Sequence, residues 1–129
     1  MGLIRTKTFI KYARINLQEA EQAFQKSEFE DCLSKLKSCT DALIKAVAAA
    51  LPAVQKDFFS LSEKQFSNYL LDLCFDEEHP KEITRAIFDA RSLAIEGPCN
   101  REVAEKALER AGSAFRRLHD IFGSLGKFH

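Results

Sequence analysis

Two stretches with helical apolar spacing, joined by a short break, occupy residues 9–51 and restrict the fold more than any other feature. Apolar residues in the first recur every three or four positions, which places them on one face of a helix; they are Phe9, Ala13, Leu17, Ala20 and Phe24. The second begins near Phe29, where Ser27 and Glu30 have the spacing of a capping box. It ends near residue 51, because Pro52 disfavours a helical residue before it. Because the break is so short, we predict an antiparallel helical hairpin over residues 6–51.

The middle of the sequence predicts two further helices. The third carries an apolar face, formed by Phe66, Tyr69, Leu70 and Leu73. Two pairs have the spacing to cap it, Ser60 with Glu63 or Ser62 with Gln65. The fourth is expected to begin with Pro80 at its first position, because proline is favoured there.

A fifth helix is expected after the turn at residues 97–100. Asn100 is a favourable N-cap, and the apolar spacing continues until Gly123, which leaves residues 124–129 as a frayed tail. No segment shows the alternation that is typical of a strand. We therefore predict an all-α, up-and-down bundle of about five helices, in a single domain over residues 1–129.

Charge and cysteine content narrow the functional classes. The chain has 19 basic and 19 acidic residues, so its net charge directs it to neither nucleic acid nor a membrane. The longest uncharged run, residues 46–55, is far shorter than the roughly 20 residues that cross a bilayer. The cysteines form no CxxC pair, which favours reduced thiols and a cytoplasmic location; they are Cys32, Cys39, Cys74 and Cys99.

The first helix carries a basic stripe, which consists of Lys7, Lys11 and Arg14. Their spacing places them on one side of the helix, where they could contact a few phosphates of a nucleic acid without reading its sequence. The alternative is a solvated face. Basic residues near a helix N-terminus oppose the helix dipole, which favours a functional use.

No catalytic, cofactor or metal motif is complete in the sequence. Cys32 and Cys39 lack the further ligands of a metal site and are interpreted as small buried residues. His119 follows Arg116 and Arg117 near the end of the fifth helix, where cations complement the dipole. The alternative is a ribonuclease that uses His119 with one of these arginines.

The opening hairpin, its Ser-Glu-Phe-Glu-Asp junction at residues 27–31, and the segments at residues 90–98 and 102–107 resemble the HEPN superfamily of small helical bundles. The resemblance covers about residues 11–122. In catalytically active members an arginine is followed, after a short spacer, by a histidine. Arg91 stands where the arginine would be, but residues 96–98 are Glu-Gly-Pro and the histidine is missing. A carboxylate repels RNA phosphate at neutral pH, so Glu96 does not replace the histidine.

The resemblance implies a non-catalytic HEPN-like binding module. Such proteins often form homodimers, and many bind a small nucleotidyltransferase or a nucleotide-bearing ligand. Arg91 and Glu96 are the ligand-binding candidates, although Arg91 paired with Glu96 or Asp89 would be purely structural. Phe88 and Ile95 are candidates for a helix-packing surface. The alternatives are the ribonuclease of a toxin–antitoxin system and an adaptor that binds nucleic-acid phosphates at the basic stripe.

Overall fold

The computed structural model describes residues 2–50, 62–74 and 78–126, and these ranges form five α-helices without a strand. The all-α bundle of about five helices is therefore confirmed. The helices are α1 (Gly2–Gln25), α2 (Phe29–Ala50), α3 (Glu63–Cys74), α4 (Glu78–Glu96) and α5 (Arg101–Gly126). Pro52, which was expected to end the second helix, lies outside the described residues.

Helices α1 and α2 form the predicted antiparallel hairpin. At its open end the buried Thr6 hydroxyl donates a hydrogen bond to the carbonyl of Ala46, with an O···O distance of 3.0 Å. Nearer the turn, Lys35 Nζ lies 3.3 Å from a carboxylate oxygen of Glu19. Small side chains without exposed surface let the two helices approach closely, and they are Ala13, Ala20 and Ala46.

The prediction that Ser27 and Glu30 form a capping box at the turn between α1 and α2 is wrong. Ser27 has a φ of 61°, the left-handed conformation that commonly ends a helix. The N–H of Ser27 donates to the carbonyl of Phe24, and the N–H of Glu28 donates to the carbonyl of Ala23. These two hydrogen bonds form a Schellman motif. The Glu28 carbonyl then accepts from the N–H of Cys32 and so caps α2. Ser27 therefore ends the first helix and does not begin the second.

The later helices begin largely as predicted. Ser62 and Gln65 form a reciprocal capping box before α3, with distances of 3.0 and 3.2 Å, whereas Ser60 lies outside the described residues. The Asn100 side chain accepts from the N–H of Val103 at 2.9 Å and caps α5. Pro80 is the third residue of α4 instead of the first, which still leaves it in the first turn.

Helix α5 is longer than predicted. It continues through Gly123 to Gly126, so residues 124–126 are helical, and residues 127–129 lie outside the described part. A single glycine weakens a helix by only about 1 kcal/mol and does not end it when neighbouring residues pack well. The apolar side of α5 here includes Leu118 and Phe122, both buried.

Helices α4 and α5 pack antiparallel, and two ion pairs span them, Asp89 with Arg110 and Glu82 with Arg117. Helix α5 carries a stripe of buried alanines, Ala104, Ala107, Ala111 and Ala114. Helix α3 packs on α4, where the rings of Phe66 and Phe88 meet edge to face. Helices α1, α2 and α4 all contact α5. The contact between α1 and α5 creates the candidate site.

Candidate functional site

A groove runs between α1 and α5 and encloses a cavity of about 370 Å³. Helix α1 contributes the whole basic stripe to one wall, as expected for residues that share a side of a helix. Helix α5 contributes the other wall. The lining residues of this α1–α5 groove are Lys7, Ile10, Lys11, Arg14, His119, Phe122 and Gly123. It therefore combines a cationic rim with an apolar floor.

Arg14 is held in the groove by two aromatic side chains of α5. Its Nη2 atom lies 3.1 Å from Nε2 of His119. Its guanidinium carbon lies 5.9 Å from the centre of the Phe115 ring, within the range of a cation–π contact. The rings of Phe115 and His119 are themselves 5.8 Å apart. These contacts orient Arg14 without neutralising its charge.

The cations of the groove belong to a larger group of described cations that form no ion pair with a carboxylate, which also includes Arg5, Lys26 and Lys106. Within the described residues, no carboxylate forms an ion pair with any member of the basic stripe. Several other cations are paired with carboxylates: Lys35 with Glu19, Lys37 with Asp41, Arg110 with Asp89, and Arg117 with Glu82. The groove therefore carries positive charge that no ion pair with a described carboxylate neutralises.

His119 is a groove residue, and the arginine that it contacts is Arg14, which the ribonuclease alternative did not name. A guanidinium has only donors, so in this contact Nε2 of His119 is the acceptor. Arg117 is bound to Glu82 instead, and the Arg116 guanidinium lies beside Gly112 of its own helix. In the part of the chain that the structure describes, His119 bonds neither arginine, and the ribonuclease alternative stays a prediction.

Arg91 is bonded to α2, and its ligand-binding role with Glu96 stays a prediction. Arg91 Nε donates to the Asp41 carboxylate of α2 at 3.0 Å, and the two side chains are only 24% and 20% exposed. Asp41 also accepts from Lys37 at 3.0 Å. Neither suggested partner of Arg91 was right, because Asp89 binds Arg110 and Glu96 lies about 140° around the helix from Arg91. The Arg91 pair is a link between helices.

The predicted packing surface on α4 is only partly exposed. Phe88 packs against the core and against Phe66, whose ring centre is 5.6 Å away, so it does not face solvent as a patch. Ile95 remains 48% exposed. A larger group of exposed apolar side chains lies on α1, beside the basic stripe, and consists of Ile4, Tyr12 and Ile15.

Cys32 and Cys39 are buried free thiols, as expected for small core residues. Burial raises the pKa of Cys39 to about 12. Burial, with a smaller contribution from the Asp31 carboxylate, raises the pKa of Cys32 to about 11. Both thiols therefore stay protonated near neutral pH and are poor nucleophiles. Among the described residues, no group of three or more His, Cys, Asp or Glu could hold a metal ion.

Sequence reasoning found the basic stripe but not its surroundings. Ile10, Phe122 and Gly123 carried no signal of a site, because their spacing only marks them as helical. The sequence places His119 beside Arg116 and Arg117, although the residue that it contacts, Arg14, lies 105 positions away. These residues come together only because α1 packs against α5, and local sequence patterns do not specify that contact.

Comparison of the chain with protein-family models, curated proteins and solved structures gives no significant match. The similarity to HEPN proteins thus stays a prediction. In the described ranges, no helix combines the length and the apolar character that a membrane crossing requires.

Proposed function

We propose that this chain is a helical binding module that takes a nucleotide-bearing ligand in the α1–α5 groove. The observation that carries this function is the basic stripe, without acidic partners in the described residues, above an apolar floor. A ligand with an anionic end and a flat apolar end matches both parts of the lining. A mononucleotide has both features, a phosphate and a flat base.

The lining assigns a role to each part of such a ligand. Lys7 and Lys11 supply point charges for phosphate oxygens, and the Arg14 guanidinium supplies paired donors for bidentate contact. Ile10 and Phe122 offer apolar contact to a base. The volume of about 370 Å³ falls within the usual range of small-molecule sites, about 300–1,000 Å³. The groove therefore suits one nucleotide rather than a long strand.

The groove is built for binding and not for acid–base chemistry. His119 accepts from Arg14 through Nε2, so this nitrogen is not free to take a proton from a substrate. Among the described residues that line the groove, none is a serine, cysteine or carboxylate that would serve as a nucleophile. Binding without turnover is the function that this geometry supports best.

The test compares two triple variants with the same change in net charge. The groove variant is Lys7→Gln, Lys11→Gln, Arg14→Gln. The control is Arg5→Gln, Lys26→Gln, Lys106→Gln, which changes exposed cations that do not line the groove. Calorimetric titration with adenosine and guanosine monophosphates is expected to show at least about tenfold weaker binding for the groove variant, because charge-assisted hydrogen bonds contribute about 1.5–3 kcal/mol each. The control should bind as the wild type does.

Equal weakening in both triple variants would show non-specific charge attraction and contradict the proposal. A fluorescent single-stranded RNA is titrated in parallel. We expect it to bind less tightly than the mononucleotides at physiological salt, because a few cations on a neutral chain give little attraction for a polyanion. If RNA binds tightly in a salt-sensitive manner, and only the groove variant loses this binding, then the groove binds RNA and the adaptor alternative is favoured.

The HEPN-like relationship, the homodimer and the nucleotidyltransferase partner stay predictions. The apolar side chains of α1 support an interface, since Ile4 is 71% and Tyr12 52% exposed. Light scattering after size exclusion would establish the oligomeric state, and Ile4→Glu with Tyr12→Glu should dissociate a dimer that uses this face. Co-purification with a nucleotidyltransferase that is encoded beside it would test the partner. A monomer at all concentrations would rule out the homodimer.

A further inference from the structure

A second cavity, of about 340 Å³, lies between α3 and α4 and is lined mostly by polar side chains. Lys64 of α3 and Lys81 and Arg85 of α4 contribute cations, and Glu63 is the single carboxylate among the described residues of the lining. No carboxylate of the described residues forms an ion pair with these three cations. The cavity thus has more positive than negative charge, at a place separate from the α1–α5 groove.

Thr84 gives this cavity a feature that surface charge alone does not. It lines the cavity, its residue is only 2% exposed, and its hydroxyl has no hydrogen-bond partner in the described part of the chain. The other three threonines all donate to a backbone carbonyl: Thr6 to Ala46, Thr8 to Ile4, and Thr40 to Lys37. Buried hydroxyls are nearly always paired, because an unpaired one has lost its water without compensation. A bound ligand would supply the missing partner.

We propose that the α3–α4 cavity binds a small phosphate monoester that carries hydroxyl groups, a ligand of the sugar-phosphate class. Lys64, Lys81 and Arg85 hold the phosphate, since cations with free donors suit its three oxygens. Glu63 accepts hydrogen bonds from ligand hydroxyls, which explains a carboxylate in an otherwise cationic lining. The Thr84 hydroxyl is satisfied by a ligand oxygen.

The polar groups between the charges fit the same class of ligand. Ser67 and Asn68 of α3 line the cavity and both donate and accept hydrogen bonds, as a sugar requires. Among its described lining residues, the α1–α5 groove has an apolar floor and no such hydroxyl or amide side chain. The two cavities therefore select different ligands, and this inference does not depend on the nucleotide proposal.

The experiment titrates the full chain with ribose 5-phosphate by calorimetry, with ribose as the uncharged control. Lys81→Gln with Arg85→Gln is expected to weaken binding at least about tenfold, since it removes two charge-assisted contacts. Thr84→Val keeps the shape, removes the hydroxyl, and is expected to weaken binding about fivefold. Thr84→Ser keeps the hydroxyl and should bind nearly as the wild type does.

Thr84→Val has a second readout that does not need a ligand. Because it removes an unpaired buried hydroxyl, the variant should have a higher melting temperature than the wild type without ligand, so failure to fold is not expected. Ribose 5-phosphate should raise the melting temperature of the wild type more than that of the variant. A larger shift in the wild type, together with weaker binding by the variant, supports the site.

Three results would overturn the inference. Wild-type protein that gives no saturable heat with millimolar ribose 5-phosphate has no such site. Unchanged affinity in Thr84→Val and in Lys81→Gln with Arg85→Gln would place the ligand elsewhere. Loss of binding in the basic-stripe variant, with the α3–α4 variants unaffected, would assign the sugar phosphate to the α1–α5 groove and leave the nucleotide proposal standing.

Discussion

Arginine side chains in this bundle differ in function according to what surrounds them. Arg91 is bonded to Asp41, and Arg110 to Asp89, so their charges hold helices together. Arg14 is positioned by the imidazole of His119 and the ring of Phe115. Neither group is a carboxylate, so these contacts leave the positive charge of Arg14 unpaired with an anion. The residue type alone does not distinguish these roles.

Two glycines that look alike in the sequence differ in the space around them. A Cβ on Gly97 would lie 2.6 Å from the carbonyl oxygen of Leu93 and 2.7 Å from Cγ1 of Val103. We expect Gly97→Ala to lower the free energy of unfolding by about 1–3 kcal/mol, because a backbone atom has to move. Gly123 is in the interior of α5 with nothing within 4 Å of its Cβ position. Gly123→Ala should raise the same quantity by about 0.5–1 kcal/mol.

Urea unfolding followed by circular dichroism checks this pair of variants. Each glycine serves as the control for the other, since both substitutions add one methyl group. A stabilising Gly97→Ala, or two effects of the same sign, would contradict the contact geometry at the turn before α5.

Burial of Cys39 predicts a pH dependence with a definite sign. The folded pKa is about 12 and the ordinary value is 9.0, so the unfolded chain releases this proton first. The thiol makes its full contribution to stability below pH 9.0, and the contribution falls as the pH rises toward 12. The loss for one group is at most about 1.4 kcal/mol per pH unit.

Urea unfolding between pH 7.5 and about 10.5 tests this dependence. The free energy of unfolding of the wild type should fall faster above pH 9.0 than that of Cys39→Ala, which has no thiol to ionise. Cys99→Ala removes an exposed thiol and should follow the wild type. Parallel curves for wild type and Cys39→Ala would show that Cys39 is not desolvated in the folded state.

At the scale of the helix, the ends depend on side chains that satisfy backbone groups. Ser62 and Gln65 cap α3, and Asn100 caps α5, whereas α1 ends in a backbone motif at Ser27. The interiors of these helices follow the apolar period. The ends are less predictable, because a serine can cap a following helix or end the preceding one.

The cap of α5 gives a prediction at this scale. Asn100→Ala removes the acceptor of the Val103 N–H and should lower the free energy of unfolding by about 1 kcal/mol. Asn100→Asp keeps a side-chain oxygen at the same position and should be at least as stable as the wild type, since an anion also complements the helix N-terminus. Thermal and urea unfolding measure both. Equal losses in the two variants would mean that the side chain acts through some contact other than the cap.

The whole molecule is assembled by contacts between helices that are distant in sequence. Asp41 of α2 and Arg91 of α4 are 50 positions apart, and Arg14 of α1 and His119 of α5 are 105 apart. The first contact is a partly buried ion pair that joins α2 to α4. The second places the basic stripe opposite the apolar floor on α5. One arrangement is structural and the other forms the candidate site.

A double-mutant cycle on the α2–α4 pair separates these roles. Arg91→Met is expected to lower the free energy of unfolding by about 1–3 kcal/mol, because it leaves the partly buried Asp41 carboxylate short of a partner. The coupling with Asp41→Asn should exceed that of the more exposed Lys35–Glu19 pair, which is expected to be about 0.2–1 kcal/mol. Nucleotide affinity should not change, since Arg91 does not line the α1–α5 groove. Loss of binding in a folded Arg91→Met would restore Arg91 as a ligand residue.

Local sequence patterns predict about five helices, the hairpin of α1 and α2, the cap at Asn100, Ser62 as one of two possible caps of α3, and the common side of the basic stripe. These features depend on residues within about one or two helical turns, where the 3.6-residue period and hydrogen-bonding side chains act locally. The tertiary structure adds three features that no local pattern holds: Arg91 binds Asp41, His119 meets Arg14, and the Thr84 hydroxyl has no partner among the described residues. Those outcomes depend on which helix faces are in contact, because the apolar period specifies which side of a helix is buried and not which helix covers it.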